Sequence, residues 1–343
     1  MRAAVFRGVG KPLDIVDCPD PEPGEHEVIL KVGRCGICGS DLHMTEPGGM
    51  TPALGSIIGH EFSGEVVALG TKVSTLRLGD RVAAMPIKGC GTCAACKAGE
   101  PSWCARGLNF LAGGYAQYAR AGEDGCLVLP GGLSDADGAL IEPLAVALHG
   151  ARMAPDLRGS RVTILGAGPI GLSATYWARR LGAARVEVVE SNLQRAQMAL
   201  TMGADEARPP QPAGDPASPP PPRPDGSDYV FECVGKPGLL SAALSHVRPK
   251  GTVMSLGFCM APEPFVSAFA AMREATVKFP TLYTLDDYRT TLAALGSGAL
   301  EPRVMITDVV GLDALPERFE SLRTPGRDCK VMIDPWKAEP LGA

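Results

Sequence analysis

One segment in the middle of the chain restricts the possible folds more than any other. Over 161–183, an apolar strand leads through a glycine-rich turn into a segment with helical spacing. The turn contains Gly166, Gly168 and Gly171 in the pattern G-x-G-x-x-G, and a second strand and helix are predicted over 185–204. Strand–helix–strand–helix order forms a right-handed βαβ unit of a parallel sheet. We therefore predict an α/β fold with a doubly wound parallel sheet.

The same turn has the features of a dinucleotide phosphate site. Gly166 permits the tight turn, Gly168 lets the backbone approach a pyrophosphate, and Gly171 allows the helix to pack closely on the strand. The helix N-terminus, with Pro169 and Ile170 in its first turn, offers unpaired N–H groups to the phosphates. The alternative interpretation is a tight turn between strand and helix that binds no ligand.

A carboxylate after the second strand indicates which dinucleotide is preferred. Glu190 lies nineteen residues after Gly171, where it can accept hydrogen bonds from the adenosine ribose hydroxyls. It would repel a 2′-phosphate, so NAD is favoured, although Ser191 could accommodate that phosphate and Arg195 could pair with it. Lys330 is a candidate counter-charge for the pyrophosphate. Candidate nicotinamide contacts follow later strands, at Val234, Gly235, Leu256, Gly257 and Phe258.

Four closely spaced cysteines form a second informative pattern. Residues Cys90, Cys93, Cys96 and Cys104 are three, three and eight positions apart, with glycines nearby that let one loop wrap around an ion. Zinc binds four thiolates in closed, tetrahedral structural sites. Two disulfides are the competing interpretation. The chain opens without a secretory signal segment, and clustered cysteines in a reducing cytosol favour metal. We expect a structural zinc ion in a cytoplasmic protein.

Composition limits the other classes of protein. The 343 residues suit two domains, and 45% apolar with 21% charged residues allows sizeable cores. No apolar run approaches the length that spans a membrane. A net charge of −5 without a basic cluster argues against nucleic acid as a partner. Residues 209–224 are Pro-rich and predict a surface loop, with docking of a partner as the alternative.

Candidate ligands for a second zinc ion are far apart in the first 150 residues. Cys38 and His60 are ligands that suit zinc, and Glu61 and Glu142 could supply an oxygen. Spacing alone does not bring these four residues together. Taken singly, His60 could be a core histidine, and Glu142 before Pro143 could be a carboxylate at a helix start.

Together, these motifs resemble the zinc-dependent medium-chain dehydrogenase/reductase family. The resemblance covers nearly the whole chain, in the family's order, and is carried by Cys38-Gly39-Ser40-Asp41, Gly59-His60-Glu61, Gly79-Asp80-Arg81-Val82, the four cysteines, Glu142-Pro143-Leu144 and G-x-G-x-x-G. Glu142, and not a cysteine, stands at the family's third ligand position. In this respect the chain resembles the polyol and secondary-alcohol branch, which includes sorbitol-type and butanediol-type enzymes. The resemblance implies a GroES-like, β-rich catalytic domain (1–145 and 283–343) and a Rossmann NAD-binding domain (146–282).

By this resemblance, Cys38 and His60 hold a catalytic zinc ion, and either Glu142 or Glu61 completes the protein ligands. A zinc ion lowers the pKa of a hydroxyl and polarises a carbonyl oxygen. The implied reaction is therefore reversible hydride transfer between a secondary alcohol or polyol and NAD, with two zinc ions per chain.

The same resemblance assigns a proton path. Ser40 resembles the family's relay hydroxyl and His43 its outer relay imidazole. A turn serine and an exposed loop histidine are the alternatives. Asp41 is interpreted as orienting His60 or its loop. Phe110 and Leu111, which follow the four cysteines, are placed at the substrate pocket.

Partners and alternative functions follow from the family. The expected partner is a small alcohol or ketone, and a homodimer or homotetramer is the family's habit. Within the family, a threonine-type amino-alcohol dehydrogenase is the alternative. Outside the enzymes, the alternative is a catalytically silent binding protein, which the presence of Cys38, His60 and Glu142 argues against.

Overall fold

The computed structural model describes residues 1–48, 50–211, 224–263, 265–324 and 326–338. Within them the chain divides into two compact units. The first unit comprises Met1–Glu142, Tyr283–Leu300 and Ile306–Ala343. The second comprises Pro143–Leu282 and Glu301–Met305. Most of the Pro-rich segment (212–223) lies outside the described residues, so the loop predicted there is not part of the description.

The division of the chain differs in detail from the predicted domains. The first break lies after Glu142 and not after residue 145, within a helix that continues to Arg152. The short segment Glu301–Met305 belongs to the second unit and interrupts the predicted C-terminal part of the first. The break before Tyr283 lies at the predicted position.

The strands of the described residues are β1 (Arg2–Val5), β2 (Asp14–Asp17), β3 (Glu27–Gly36), β4 (Glu61–Leu69), β5 (Arg81–Ala84), β6 (Tyr118–Gly122), β7 (Cys126–Val128), β8 (Arg161–Leu165), β9 (Arg185–Val189), β10 (Glu206–Arg208), β11 (Ser227–Glu232), β12 (Val247–Ser255), β13 (Thr276–Lys278), β14 (Ile306–Val310) and β15 (Lys330–Ile333). The helices are α1 (Gly39–Met44), α2 (Ala94–Lys97), α3 (Asp135–Arg152), α4 (Pro169–Arg180), α5 (Leu193–Thr201), α6 (Leu239–His246), α7 (Ser267–Ala271), α8 (Leu285–Gly296) and α9 (Leu315–Ser321). Short 3₁₀ helices cover Pro101–Trp103, Glu123–Gly125 and Glu301–Met305. None of the described helices is both long and apolar enough to cross a membrane.

The first unit is built around the long strand β3. Its main sheet has the order β14-β15-β3-β4-β5-β7, and β6 also pairs with β3. Alternate residues of β3, such as Val28, Leu30 and Val32, are fully buried in the core of this unit. The antiparallel pairing of β3 with β4 sets Gly36 opposite Glu61. Residues that follow β3 and residues that precede β4 are therefore brought to the same end of the sheet.

The second unit contains the predicted doubly wound sheet. Its six strands are all parallel and lie in the order β10-β9-β8-β11-β12-β13. The strand order reverses between β8 and β11, and the carboxyl ends of strands at such a point form the ligand-binding edge of these sheets. The prediction of a parallel α/β sheet is confirmed.

Candidate metal and cofactor sites

The four cysteines of the predicted structural site lie together. One Sγ atom from each of Cys90, Cys93, Cys96 and Cys104 lies within 4.8 Å of all the others. The short helix α2 begins after Cys93 and contains Cys96, and Cys104 follows the 3₁₀ turn Pro101–Trp103. Throughout the described residues every cysteine is a free thiol, so the disulfide interpretation has no support.

Neighbouring N–H and O–H groups favour the thiolate form of two of these cysteines, Cys90 and Cys93, whereas burial raises the pKa of Cys96. The N–H of Cys93 is 3.4 Å from Sγ of Cys90, and the N–H of Ala105 is 3.5 Å from Sγ of Cys93. Hydrogen bonds from the Thr92 hydroxyl and from the N–H groups of Thr92 and Cys93 lower the pKa of Cys90 to about 5. Four thiols arranged around one point fit a tetrahedral zinc ion.

A second group of metal ligands lies at the end of the β3–β4 pair. Ligand atoms of Cys38, His60 and Glu61 all lie within 4.8 Å of one another. Cys38 is the N-cap of α1, directly after β3, and Glu61 is the first residue of β4. His60 and Glu61 are 5% and 1% exposed. One thiol, one imidazole and one carboxylate fit zinc with a fourth position open, as in catalytic zinc sites.

A buried carboxylate orients the histidine of this group. Asp41 Oδ1 lies 3.2 Å from Nδ1 of His60, which leaves Nε2 of the ring available to an ion. Its other oxygen accepts hydrogen bonds from the hydroxyl of Tyr115 at 2.6 Å and the N–H of Cys38 at 3.2 Å. Burial opposes a charge on His60, but Asp41 and Cys38 raise its pKa well above the usual value. Asp41 orients His60, as interpreted from the sequence.

The sequence analysis did not identify Tyr115 as part of this site. It is fully buried, and a Cβ atom on Gly59 would lie 2.3 Å from its ring. Gly59 also has a φ of +88°, in the left-handed region that favours glycine. Close packing of Tyr115 on the backbone thus explains why a glycine precedes His60, and that glycine is the only signal that the sequence offers.

Lys330, predicted as a counter-charge for the pyrophosphate, contacts a buried carboxylate of the first unit. Its Nζ donates to both oxygens of Glu61 at 2.7 Å and to the carbonyl of Ile37 at 3.1 Å. These acceptors match the three donors of an ammonium group. Lys330 and Glu61 are each 1% exposed. Burial alone would lower the pKa of Lys330, but the adjacent Glu61 raises it. The lysine compensates the buried carboxylate beside Cys38 and His60.

Glu142 is the second carboxylate of this region. It lies in α3, 5% exposed, and its ligand atom is not in the group formed by Cys38, His60 and Glu61 among the described residues. Burial raises the pKa of Glu142 to about 7; His60 opposes this shift and Glu61 adds to it. The mutual influence of these charges indicates that Glu142 lies beside the group.

The two candidate relay residues are on α1. The Ser40 hydroxyl donates a hydrogen bond to Sγ of Cys38 at 3.3 Å. The side chain of His43 is 49% exposed, and its Nδ1 lies 3.7 Å from a carboxylate oxygen of Glu46. The ring of Phe110 lies 5.4 Å from the ring of His60, so the predicted pocket residue is next to the proposed ligands.

In the second unit, the glycine-rich turn has the geometry that a pyrophosphate needs. Gly166 has a φ of +90°, and a Cβ on Gly171 would lie 1.8 Å from the Gly166 carbonyl oxygen. Gly168 is the N-cap of α4, before Pro169, and a Cβ built there would meet nothing within 4 Å. Open space beside the N-terminus of a helix fits a phosphate group.

Glu190 lies directly after β9, beside this turn. Its carboxylate accepts hydrogen bonds from the N–H of Ala167 at 2.7 Å and the N–H of Asn192 at 2.8 Å. Asn192 in turn caps α5 by accepting from the N–H of Arg195 at 3.1 Å. The structure therefore sets a negative charge at the end of the second strand, as the sequence predicts.

The loops after β11 and β12 contact each other. Glu232, 3% exposed, accepts hydrogen bonds from the N–H groups of Val234 at 2.7 Å and Gly235 at 2.9 Å. A Cβ on Gly257 would lie 2.2 Å from the Gly235 nitrogen. Val234 and Phe258 are 39% and 49% exposed at this edge. Sequence reasoning missed Glu232, whose only signal is an acidic residue directly after the apolar residues Val230 and Phe231 of β11.

Comparisons with known proteins match a segment in each part of the chain. Residues 24–131 match the alcohol dehydrogenase GroES-like domain, and residues 169–297 match the zinc-binding dehydrogenase family. The chain is 32% identical to a sorbitol dehydrogenase of Bacillus subtilis (strain 168), over 98% of this chain and 97% of that protein.

Solved structures show the same similarity. The 2R,3R-butanediol dehydrogenase from Bacillus subtilis has a TM-score of 0.83 and 28% identity, over 97% of this chain and 99% of that one. A zinc-binding dehydrogenase-like protein from Sinorhizobium meliloti 1021, bound to NADP, has a TM-score of 0.86 and 29% identity, over 97% and 99% of the two chains.

Proposed function

Since the chain belongs to the zinc-dependent medium-chain dehydrogenase/reductase family of alcohol dehydrogenases, we propose that it interconverts a secondary alcohol or polyol and the corresponding ketone. The observation that carries this proposal is the group Cys38, His60 and Glu61, in which His60 and Glu61 are buried, with its compensating charges. The likeness to sorbitol and butanediol dehydrogenases supports a substrate with a secondary hydroxyl.

We assign the catalytic zinc ion to Cys38, His60 and Glu61, with Glu142 as the adjacent carboxylate. When bound, zinc would polarise the substrate oxygen and lower the pKa of its hydroxyl. Lys330 occupies one lone pair on each Glu61 oxygen, and a carboxylate oxygen has another lone pair for an ion. The four-cysteine site is assigned to a second, structural zinc ion.

The residues of α1 supply a proton path. Ser40, whose hydroxyl contacts the sulfur of Cys38, would accept the proton of the substrate hydroxyl. His43 is half exposed and would pass that proton on to water. In the reverse direction, the same two residues return a proton to the substrate oxygen.

We propose that NAD is the preferred dinucleotide. The carboxylate of Glu190, at the end of β9, would accept hydrogen bonds from the ribose hydroxyls and repel a 2′-phosphate. The relative from Sinorhizobium meliloti that holds NADP shows that this fold can also bind the phosphorylated cofactor. The preference of this chain therefore depends on Glu190 and its neighbours.

The test is a panel of diols, polyols, cyclic alcohols and L-threonine, each assayed with NAD and with NADP. We expect the largest kcat/KM for a diol or polyol with NAD. A larger value for threonine would move the assignment to amino-alcohol oxidation, and a larger value with NADP would contradict the cofactor proposal. Glu190→Ala should reduce the preference for NAD. Glu187→Ala, on the same strand and paired with Arg208, is the matched control and should leave the preference unchanged.

We also propose that the protein works in the cytoplasm as a homodimer or homotetramer. A reducing compartment keeps the four clustered thiols available to zinc. Sedimentation of the zinc-loaded protein measures the oligomeric state, and a monomer at micromolar concentration would contradict the proposal.

A further inference from the structure

Helix α1 carries both proposed relay residues but is too short to be stable by itself. It has only six residues, and isolated helices below about 12–15 residues are marginal in water. Its first turn is held by the N–H of Cys38, which donates to the Asp41 carboxylate at 3.2 Å. The position of Ser40 and His43 therefore depends also on what holds the other end of α1.

That other end is held by Arg323, which lies just after α9. One guanidinium nitrogen donates to the carbonyl of Leu42 at 2.9 Å, and another donates to the hydroxyl of Thr45 at 2.8 Å. The guanidinium group of Arg323 also donates to the two carboxylate oxygens of Glu320, at 2.7 and 3.1 Å. A cation at the last turn also interacts favourably with the helix dipole. Arg323 thus closes the C-terminal end of α1.

Glu46 links this arginine to the relay imidazole. Its Oε1 accepts from Arg323 at 3.2 Å, and its Oε2 lies 3.7 Å from Nδ1 of His43. Among the described contacts, Glu46 is the charged group that faces His43, and Arg323 joins Glu46 to Glu320 on the α9 side. One carboxylate is therefore shared between a fixed guanidinium and an exposed imidazole.

We propose that Arg323 and Glu46 are positioning residues for proton release at His43. The inference rests on the proposed function, because it takes His43 as the outer relay group. Glu46 faces Nδ1 of the ring, and His43 accepts at Nε2 the proton that arrives through Ser40. The resulting imidazolium is balanced by the Glu46 carboxylate until it gives one proton to water. Arg323 keeps Glu46 and the last turn of α1 in place.

The chain offers a matched control for Arg323. Arg318 lies on α9 and has similar side-chain exposure, 21% against 23% for Arg323. It also forms two ion pairs, with Asp308 at 3.1 Å and Asp328 at 2.8 Å. The described partners of Arg318 are in the C-terminal segment and not in α1. A Lys substitution removes the same fork geometry at either site and retains the charge.

The test compares Arg323→Lys, Glu46→Gln and Arg318→Lys in the zinc-loaded enzyme. We expect kcat/KM to fall roughly tenfold in the first two variants, a part of the effect that general acid–base groups supply. Added imidazole should restore much of this loss by carrying the proton in place of His43. Arg318→Lys should stay near the wild-type value and should not respond to imidazole.

Amide hydrogen exchange gives a readout that does not depend on activity. Residues 39–46 should exchange faster in Arg323→Lys than in Arg318→Lys. Equal kinetics in the two Lys variants, or losses that imidazole does not restore, would overturn the inference. If Arg323→Lys does not fold, the test rests on Glu46→Gln. Recovery of its kcat/KM on addition of imidazole supports the inference, and no recovery overturns it. A wild-type protein that oxidises no alcohol with NAD or NADP would instead refute the proposed function, while hydrogen exchange would still show whether Arg323 holds α1.

Discussion

The two candidate zinc sites of the first unit are assembled in different ways. The four-cysteine site takes its ligands from one stretch, Cys90 to Cys104, and most of its thiols are partly exposed. The Cys38 site takes its ligands from the ends of two paired strands, and His60 and Glu61 are buried. In the first site, local N–H and O–H groups lower the pKa of Cys90 and Cys93. In the second, charged side chains from distant segments contact the ligands: Lys330 pairs with Glu61, and Asp41 pairs with His60.

This difference indicates what each site requires from the rest of the fold. A loop that contains all four zinc ligands can be ordered by the ion alone, without contacts from distant segments. A buried site must compensate each charge, because an unpaired charge away from water is costly. Lys330 and Asp41 have this role at the Cys38 site. We expect damage to the first site to stay local, and damage to the second to affect both stability and zinc affinity.

The largest expected effect is the loss of the structural zinc ion through Cys104→Ala. Structural zinc sites in small peptides bind with about 10–16 kcal/mol, so a lobe without its ion should lose its order. We expect one zinc ion fewer per chain and rapid proteolysis within residues 88–107. Cys259→Ala, at a cysteine outside both groups, is the control. A Cys104→Ala protein that keeps the lobe resistant to protease would show that the ion does not hold it.

An intermediate effect is expected from Lys330→Met. The variant leaves the charge of Glu61 buried without its partner, which costs about 3–5 kcal/mol at such sites. Urea unfolding of the first unit, followed by tryptophan fluorescence, measures this loss. Lys72→Met breaks an ion pair with Glu25 in which both side chains are more than half exposed, and it should leave stability nearly unchanged. Equal losses in the two variants would contradict the need for charge compensation at the buried site.

The smallest effect is expected from Asp41→Asn. The variant keeps the size of the side chain but weakens its hold on His60, and changes of this kind cost about 10–100-fold in metal affinity. Competition with a chromophoric chelator measures zinc affinity at the Cys38 site. The four-cysteine site in the same molecule is the reference and should be unaffected. Tyr115→Phe removes one of the hydrogen bonds to Asp41 and should have a smaller effect. Equal loss of zinc from both sites would mean that Asp41 supports the fold and not His60.

The same contrast explains how much could be predicted from the sequence. The four cysteines and the glycine-rich turn were recognisable because their residues are close in sequence and their chemistry depends on spacing. The strand–helix alternation also predicted the parallel sheet. Cys38, His60 and Glu61 could be grouped only by family resemblance, because their proximity depends on the pairing of β3 with β4.

Contacts between distant segments were not predictable from any pattern. Tyr115 is 74 residues from Asp41, Lys330 is 269 residues from Glu61, and Arg323 is 281 residues from Leu42. The contact of Lys330 with Glu61 was missed for this reason, since its position as the first residue of β15 gives no sign of a buried partner. Such residues carry the charge balance of the site, and they become visible only when the strands are paired.

The central claim is that the Cys38 site holds a zinc ion separate from the four-cysteine site and that the chemistry depends on it. The most direct test is zinc analysis with X-ray absorption on the wild-type protein and on Cys38→Ala. We predict two zinc ions per wild-type chain and one in the variant, with four sulfur neighbours around the remaining ion. The variant should bind dinucleotide but lose turnover by about 10³-fold or more. A Cys38→Ala protein that keeps two zinc ions, or that keeps its turnover, would contradict the account.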